Sequence, residues 1–228
     1  MALGQIGDTN GVLSLWPFEG NSTDSGHFAH NGTDSSIVYS QGNGRFGQGA
    51  GFNGASSKIT LAESAGLNLT DNFSVSCWIK STTNGGYIFS NEYVQTGIDG
   101  QGFWCSISSG FRFAGWALGS GSSTFGTIGS ISITDGKWHH CLGTFNTTSG
   151  TVIYTDGVSC AFDPRTVGPG YKAGMKPTFG AEFDYNGSTY GGFLTGSLDE
   201  FVIYNRVLSP KEVRDLYNWS LGRRTLAI

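Results

Sequence analysis

Three short runs constrain this chain more than anything else in it: FSVSCWIK (73–80), GFWCSIS (102–108) and FRFAGWA (111–117). In each, large apolar residues recur at every second position: Phe73, Val75, Cys77 and Ile79; Phe103, Cys105 and Ile107; Phe111 and Phe113. Successive side chains of a strand point to opposite faces, so a period of two predicts strands with one face in a core. The other phase carries Ser74, Ser76, Trp78 and Lys80 in the first run, Trp104 and Ser106 in the second, and Arg112 and Trp116 in the third. These form an outer surface, expected to be concave where tryptophan and arginine gather.

The pattern continues along the chain. Strand-like runs occur at 11–18, 35–40, 57–62, 138–145, 151–157, 176–183 and 192–205, separated by Gly/Ser/Asn clusters. Many short alternating runs with turn chemistry between them predict an all-β, two-sheet antiparallel jelly-roll sandwich. Composition agrees: 37 glycines and 16 phenylalanines, with 13% charged residues, about half the usual share and too few for several amphipathic helices. One helix is predicted, in LSPKEVRDLYNW (208–219), where Ser209, Pro210 and Glu212 make a capping box and Val213, Leu216 and Tyr217 share a face. It is expected against an end of the sandwich. No linker divides the runs, so residues 1–228 read as one domain, with a core at 11–217 and a tail at 218–228.

Several function classes are disfavoured. A net charge of -4 argues against nucleic acid, which needs a basic patch. No stretch reaches the roughly 20 apolar residues of a membrane span. The start, MALGQIGDTNG, has neither a basic nor an apolar leader region, so no signal peptide is visible. The pair His139-His140 lies on a strand, so its rings face opposite ways and cannot chelate one metal together.

Taken together, DSGHFAHNGT (24–33), GRFGQGAGFNGASSKITL (44–61), NFSVSCWIK (72–80), GKWHHCLGTFNTTSGTVIYTDG (136–157) and GSLDEFVIYNRVLSPKEVRDLY (196–217) resemble the laminin-G-like jelly rolls of the concanavalin A-like lectin/glucanase fold. The resemblance runs from about Gly11 to Tyr217, and its last segment is the most specific. It implies two antiparallel sheets. It does not imply one function, because the fold hosts lectins, adhesion modules, spacers and enzymes. HHCLGTF also resembles a pentraxin strand, departing from it at Gly143 and Thr144. That likeness implies a Cys77–Cys141 disulfide where the compartment oxidises, leaving Cys105–Cys160. The alternative is four reduced thiols packed as small apolar groups.

Two sites are expected. FEGNSTDSGHFAHNGT (18–33) offers oxygens from Glu19, Asn21, Asp24 and Asn31 in a Gly-rich turn. The resemblance brings Asp199 of the last strand alongside, which implies a structural calcium. The alternative is an Asx-turn in which Asp24 and Asn31 bond their own backbone. His27 and His30 contribute a backbone carbonyl or nothing. The second site is for a glycan: Trp104, Arg112 and Trp116 on the outer face, with Asp184, Tyr185, Asn186 and Tyr190 from the loop DYNGSTYGG (184–192). The alternative buries these tryptophans under long loops.

Catalysis is not expected. The nearest approach to the paired carboxylates of a retaining glycosidase is EFDYN, where Asn186 replaces the third acid. The leading expectation is a non-catalytic recognition or adhesion module for glycans or another surface ligand, extracellular or on a virion surface. It takes the form of a decoration protein, as a homo-oligomer or bound to the capsid or tail of a phage particle, or of a carbohydrate-binding module from a larger secreted enzyme.

Overall fold

The alternating runs become the middle strands of two sheets packed face to face. The computed structural model describes residues 10–95, 98–117, 123–186 and 188–222. In chain order the strands are β1 Val12–Trp16, β2 Gly32–Ser35, β3 Val38–Ser40, β4 Gly49–Asn53, β5 Lys58–Leu61, β6 Phe73–Lys80, β7 Tyr87–Gln95, β8 Ile98–Ser108, β9 Gly110–Trp116, β10 Phe125–Ile128, β11 Trp138–Asn146, β12 Gly150–Thr155, β13 Val158–Asp163, β14 Thr178–Phe179, β15 Glu182–Asp184, β16 Thr189–Gly191 and β17 Thr195–Tyr204; helix α1 spans Pro210–Gly222. One eight-stranded sheet has the order β13-β12-β11-β6-β17-β4-β3, with β1 also paired to β17. A seven-stranded sheet runs β10-β9-β8-β7-β14-β5-β2, and β15-β16 is a separate hairpin. Every pairing is antiparallel.

Phenylalanine fills the space between the sheets. Phe73, Phe89, Phe103, Phe113, Phe125, Phe145, Phe179 and Phe201 are all buried there. Their rings meet in tilted and edge-on pairs, such as Phe89–Phe179 at 4.8 Å, Phe179–Phe201 at 4.8 Å and Phe73–Phe103 at 4.9 Å between centroids. Such geometries add roughly 0.5–1.5 kcal/mol per pair to simple burial.

Helix α1 corrects one expectation. It lies on the outer face of the eight-stranded sheet and not at an end of the sandwich. That face is apolar: Val12, Leu15, Leu142, Tyr154, Val202 and Tyr204 pack with Leu208 and Val213 as a second cluster. The capping box forms as read, with the Ser209 N–H donating to Glu212 Oε2 at 2.7 Å and the Glu212 N–H to Ser209 Oγ at 3.3 Å. Trp78, taken as an outer residue, stacks under Tyr217 of the helix at 6.0 Å and is buried. The helix also continues past 217 to Gly222, which shortens the expected tail; residues 223–228 lie outside the described part.

Two predicted strands are each split between elements. The run 35–40 breaks at Ser36 (φ 54°), so β2 joins the seven-stranded sheet and β3 the other. The run 176–183 breaks at Gly180 (φ 79°), where a side chain would meet the Phe52 ring. Strands β7, β10, β13 and β16 were not among the predicted runs, and β4 was read only as part of a Gly-rich motif. All four cysteines are free thiols, so neither Cys77–Cys141 nor Cys105–Cys160 is bonded in this structure. Cys77 and Cys141 nevertheless stand opposite each other across β6 and β11. Burial pushes the thiols of Cys77, Cys105 and Cys141 far up, so they pack as apolar groups. Cys160 lies 3.6 Å from the carbonyl oxygen of Ile153 and makes a weak bond there. No helix among the described residues is long and apolar enough to cross a membrane.

The sheets are tightly fitted at Gly143 on β11, where an added Cβ would lie 2.5 Å from Phe113 Cδ1. Gly143→Ala is therefore expected to cost about 1–3 kcal/mol through overpacking. That corresponds to a Tm lower by roughly 2–4 °C for each kcal/mol. An unchanged melting curve would mean that the two sheets are not held at this spacing.

Candidate functional site

The outer face of the seven-stranded sheet carries an open cleft of about 370 Å³. Its floor follows from strand alternation: β8 sends Phe103, Cys105 and Ile107 into the core and turns Trp104 and Ser106 outward, while β9 buries Phe111 and Phe113 and presents Arg112 and Trp116. The β8–β9 register sets Arg112 beside Ser106 and Trp116 beside Gly102. The indoles of Trp104 and Trp116 stack at 5.7 Å with 29° between planes, and the Arg112 guanidinium lies 5.5 Å from the Trp104 ring centre. Arg112, Trp104 and Trp116 therefore meet as predicted, with Trp104 almost fully buried as part of the cleft wall.

Three further groups complete the cleft: Tyr87 and Glu92 from β7, and Glu182 from the β15–β16 hairpin. Glu92 is 4% exposed, accepts a bond from Ser90 Oγ at 3.1 Å, and has its pKa raised to about 8 by burial and then by the charge of Glu182. The Tyr87 hydroxyl lies against Glu182. Trp116 Nε1 is buried beside Glu92 without reaching hydrogen-bond geometry to it. The cleft thus offers two indoles, a guanidinium, a buried carboxyl group whose pKa is raised, a second carboxyl group and a phenol. In the sequence Glu182 stands out only as the first acid of EFDYN, and no periodic pattern points to Tyr87 or Glu92. The reason is a bulge in β7, which shifts register between Tyr87 and Phe89 and places Ile88 and Phe89 consecutively in the core. A lone glutamate in the apolar run YIFSNEYV was the available signal.

The loop residues expected in the same site lie elsewhere. Glu182 faces the cleft, and Phe183, next along the strand, turns the other way to meet Tyr190 at 5.0 Å. Tyr185 stacks on Tyr93 at 3.8 Å, and its hydroxyl donates to the carbonyl of Gly174 at 2.9 Å. Asp184 accepts the Asn186 N–H at 2.8 Å in a local turn. The predicted glycan set therefore splits: Trp104, Arg112 and Trp116 line the cleft, while Asp184, Tyr185, Asn186 and Tyr190 do not.

The opening oxygen-rich stretch also separates into two places. Asp24 Oδ1 accepts the N–H groups of Leu15 (2.8 Å) and Gly26 (2.7 Å), its Oδ2 accepts that of His30 (2.9 Å), and Asn31 Oδ1 accepts that of Asp24 (2.9 Å). Asn21 accepts the Thr23 N–H at 2.9 Å. These are the self-bonded turns of the alternative reading. His30 has more than a carbonyl role: besides accepting Trp16 Nε1–H at 2.9 Å through its backbone, its ring bridges Ser14 and Ser64, each at 2.7 Å. His27 is exposed. Glu19 and Asp199 lie apart from this loop, beside the turn at 44–48. Glu19 accepts the Gln48 N–H at 2.9 Å, and Asp199 Oδ2 accepts those of Arg45 (2.7 Å) and Phe46 (2.8 Å). Asp199 Oδ1 is buried without a partner, and burial followed by the charge of Glu200 raises the pKa of the group to about 8. Among the described residues no three His, Cys, Asp or Glu side chains are grouped to hold a metal.

The remaining histidines do face opposite ways. His140 is buried beneath α1, bonded to Ser76 Oγ at 2.8 Å, and burial lowers its pKa to about 4. His139 bridges Asp156 (2.8 Å) and Asp135 (3.0 Å), which raise its pKa.

Two antiparallel sheets packed as a jelly roll are the architecture of concanavalin A-like domains. The chain belongs to the concanavalin A-like lectin/glucanases superfamily, through a laminin G family model that matches residues 53–214. No curated protein matches it in sequence. Among solved structures it is similar to the binding domain of Paraclostridial Mosquitocidal Protein 1 (TM-score 0.72, 19% identity, 92% of this chain and 52% of that one). It is also similar to domain 4 of AbnA, an extracellular GH43 arabinanase from Geobacillus stearothermophilus, in complex with arabinotriose (0.68, 22%, 90% and 98%). A third is the binding domain of Botulinum Neurotoxin DC in complex with SialylT (0.66, 19%, 94% and 52%). The chain spans about half the length of these toxin domains, and at such identities the likeness is one of fold.

The His139 bridge generates a pH dependence. Its folded pKa lies above the unfolded value of about 6.5, so its stabilisation is full below that value and is lost as pH rises through the folded pKa. The Tm difference between wild type and His139→Gln is expected to be largest near pH 5.5 and to shrink by pH 8.5; a constant difference would show that the imidazolium is not the bridging form.

Proposed function

We propose that this protein is a non-catalytic carbohydrate-recognition module acting outside cells, and that its ligand occupies the cleft above Trp104, Arg112 and Trp116. The observation that carries this reading is the cleft itself. Indole faces match the apolar faces of sugar rings, and Arg112, Glu92, Glu182 and Tyr87 supply donors and acceptors for hydroxyls around them. The similarity to an enzyme-borne domain in complex with arabinotriose and to toxin binding domains supports glycan or surface-ligand recognition. Assembly onto a phage particle draws no support from these relatives. The paired carboxyl groups of Glu92 and Glu182 make hydrolysis the reading to test against.

Arabino-oligosaccharides are the first probes for titration calorimetry, followed by a glycan array. Trp116→Ala is expected to weaken binding by about tenfold or more, the equivalent of 1.4 kcal/mol, while leaving Tm near wild type. Binding unaffected by Trp116→Ala and Arg112→Met would remove the cleft as the site. Release of reducing ends that disappears in Glu92→Gln would replace the recognition module with an enzyme.

We propose further that any calcium is held by Asp199 and Glu19 with backbone oxygens of the nearby turn, and not by Asp24 or Asn31, whose oxygens already accept backbone N–H groups. The orphan Oδ1 of Asp199 motivates this. Because the ion must displace a proton from Asp199, its stabilisation is expected to grow as pH rises toward 8 and beyond. A Tm rise with Ca²⁺ that is absent from Asp199→Asn supports the site; no response to Ca²⁺ or EDTA at pH 8.5 refutes it.

A further inference from the structure

The chain has six lysines, and they fall into two groups. Lys137 and Lys211 pair with Asp135 and Asp215, and Lys80 donates to the Gly42 carbonyl at 2.9 Å. Lys80 also lies 5.2 Å from the centre of Trp138, whereas the other three, which make no such polar bond among the described residues, sit over rings of a single cluster: Lys58 Nζ is 4.7 Å from the centre of Tyr190, Lys172 Nζ 4.3 Å from Tyr93, and Lys176 Nζ 3.7 Å from Phe183. Those rings are one connected group, because Tyr93 stacks on Tyr185 at 3.8 Å and Phe183 meets Tyr185 at 4.7 Å and Tyr190 at 5.0 Å. Among the described residues none of these three lysines has a carboxylate within ion-pair distance. The nearby acids are engaged otherwise: Glu63 accepts Tyr171 Oη–H at 2.5 Å and the Gly174 N–H at 2.9 Å, and Asp184 holds its own turn. Glu63 and Asp184 keep their charge while accepting these bonds, but neither pairs with a lysine, so one aromatic platform carries three ammonium groups that are not ion-paired.

We infer that the β15–β16 hairpin and the 172–176 segment form a second binding site, separate from the cleft, for the acidic units of a carboxylated or sulfated saccharide. The platform offers half-exposed tyrosine rings for a sugar face, and Lys58, Lys172 and Lys176 supply charge for its anionic group. Ammonium heads held over rings keep their remaining N–H donors for a ligand, and a compact charge on a flexible stem suits either carboxylate or sulfate. The hairpin's two faces keep the sites apart, Glu182 toward the cleft and Phe183 toward the platform. The site rests on the glycan reading only in taking the ligand to be a saccharide.

The test is titration of the full chain with oligogalacturonate, with a sulfated dextran oligomer and with neutral arabino-oligosaccharide, at about 0.05 and 0.5 M salt. Binding of at least one acidic oligomer, weakened by salt and reduced at least about tenfold in Lys58→Gln/Lys172→Gln/Lys176→Gln, is the expected result. Which acidic oligomer binds identifies the anionic group. Trp116→Ala is expected to leave that binding intact, and the triple variant is expected to leave neutral-sugar binding intact, so failure of the cleft and failure of the platform are read separately. Surface glutamines are expected to preserve folding, checked by Tm. Tyr185→Ala, which removes the stacked ring and keeps all three charges, should also weaken acidic binding. The inference is overturned if no acidic oligomer binds at low salt, if Trp116→Ala abolishes acidic binding while the triple variant does not, or if phosphatidylserine vesicles bind as well as the oligomers, which would reduce the patch to unspecific charge.

Discussion

The geometry of this protein depends on the phenylalanine-filled space between its two sheets. Phe103 and Phe113, buried side by side with Phe73 and Phe125, fix the phase of β8 and β9. Strand side chains alternate, so the same anchoring determines that Trp104, Ser106 and Arg112 face outward. A one-residue slip would bury the Arg112 guanidinium and expose phenylalanine, which makes the register costly to change. The cleft is in this sense the reverse side of the core, and its indole–guanidinium stack inherits the rigidity of the packing beneath it.

The two sheets differ in what covers their outer faces. Helix α1 closes the eight-stranded sheet with an apolar layer, leaving beneath it a small void of about 30 Å³ bordered by His140 and Trp78. Among the described residues no helix lies over the seven-stranded sheet, and the β15–β16 hairpin leans against its β7 edge. The apolar outer face is therefore covered by the helix, and the other carries the cleft in which the proposed ligand would sit. The opening loop serves a structural purpose: the single carboxylate of Asp24 gathers three backbone N–H groups, and His30 ties that loop to Ser14 and Ser64. A buried carboxylate so fully bonded is a fastening and leaves little capacity for a ligand.

Departures from alternation place several of the groups in the two proposed sites. The bulge in β7 turns Tyr87 and Glu92 toward the cleft, and the irregularity in β17, with Glu200 at φ 50°, holds Asp199 against the turn at 45–46. Both positions carry carboxyl groups whose pKa values are raised to about 8 by burial. Such bulges and left-handed residues are maintained only where surrounding structure compensates for them.

The sequence alone determined the fold class, the core faces of β6, β8 and β9, the capped helix, and the convergence of Trp104, Arg112 and Trp116. Each of these rests on a local rule, a period of two or a capping pattern, that needs no partner strand to be recognised. Glu92 and Tyr87 were not legible, because a bulge is defined by two strands and leaves no periodic trace in one. The separation of Tyr185 and Tyr190 from the cleft, the division of the expected calcium ligands between the surroundings of Asp24 and of Asp199, and the seat of α1 on a sheet face were decided by tertiary structure. They depend on which surfaces remain apolar and which oxygens remain free once the sheets have closed, and those quantities exist only after long-range pairing.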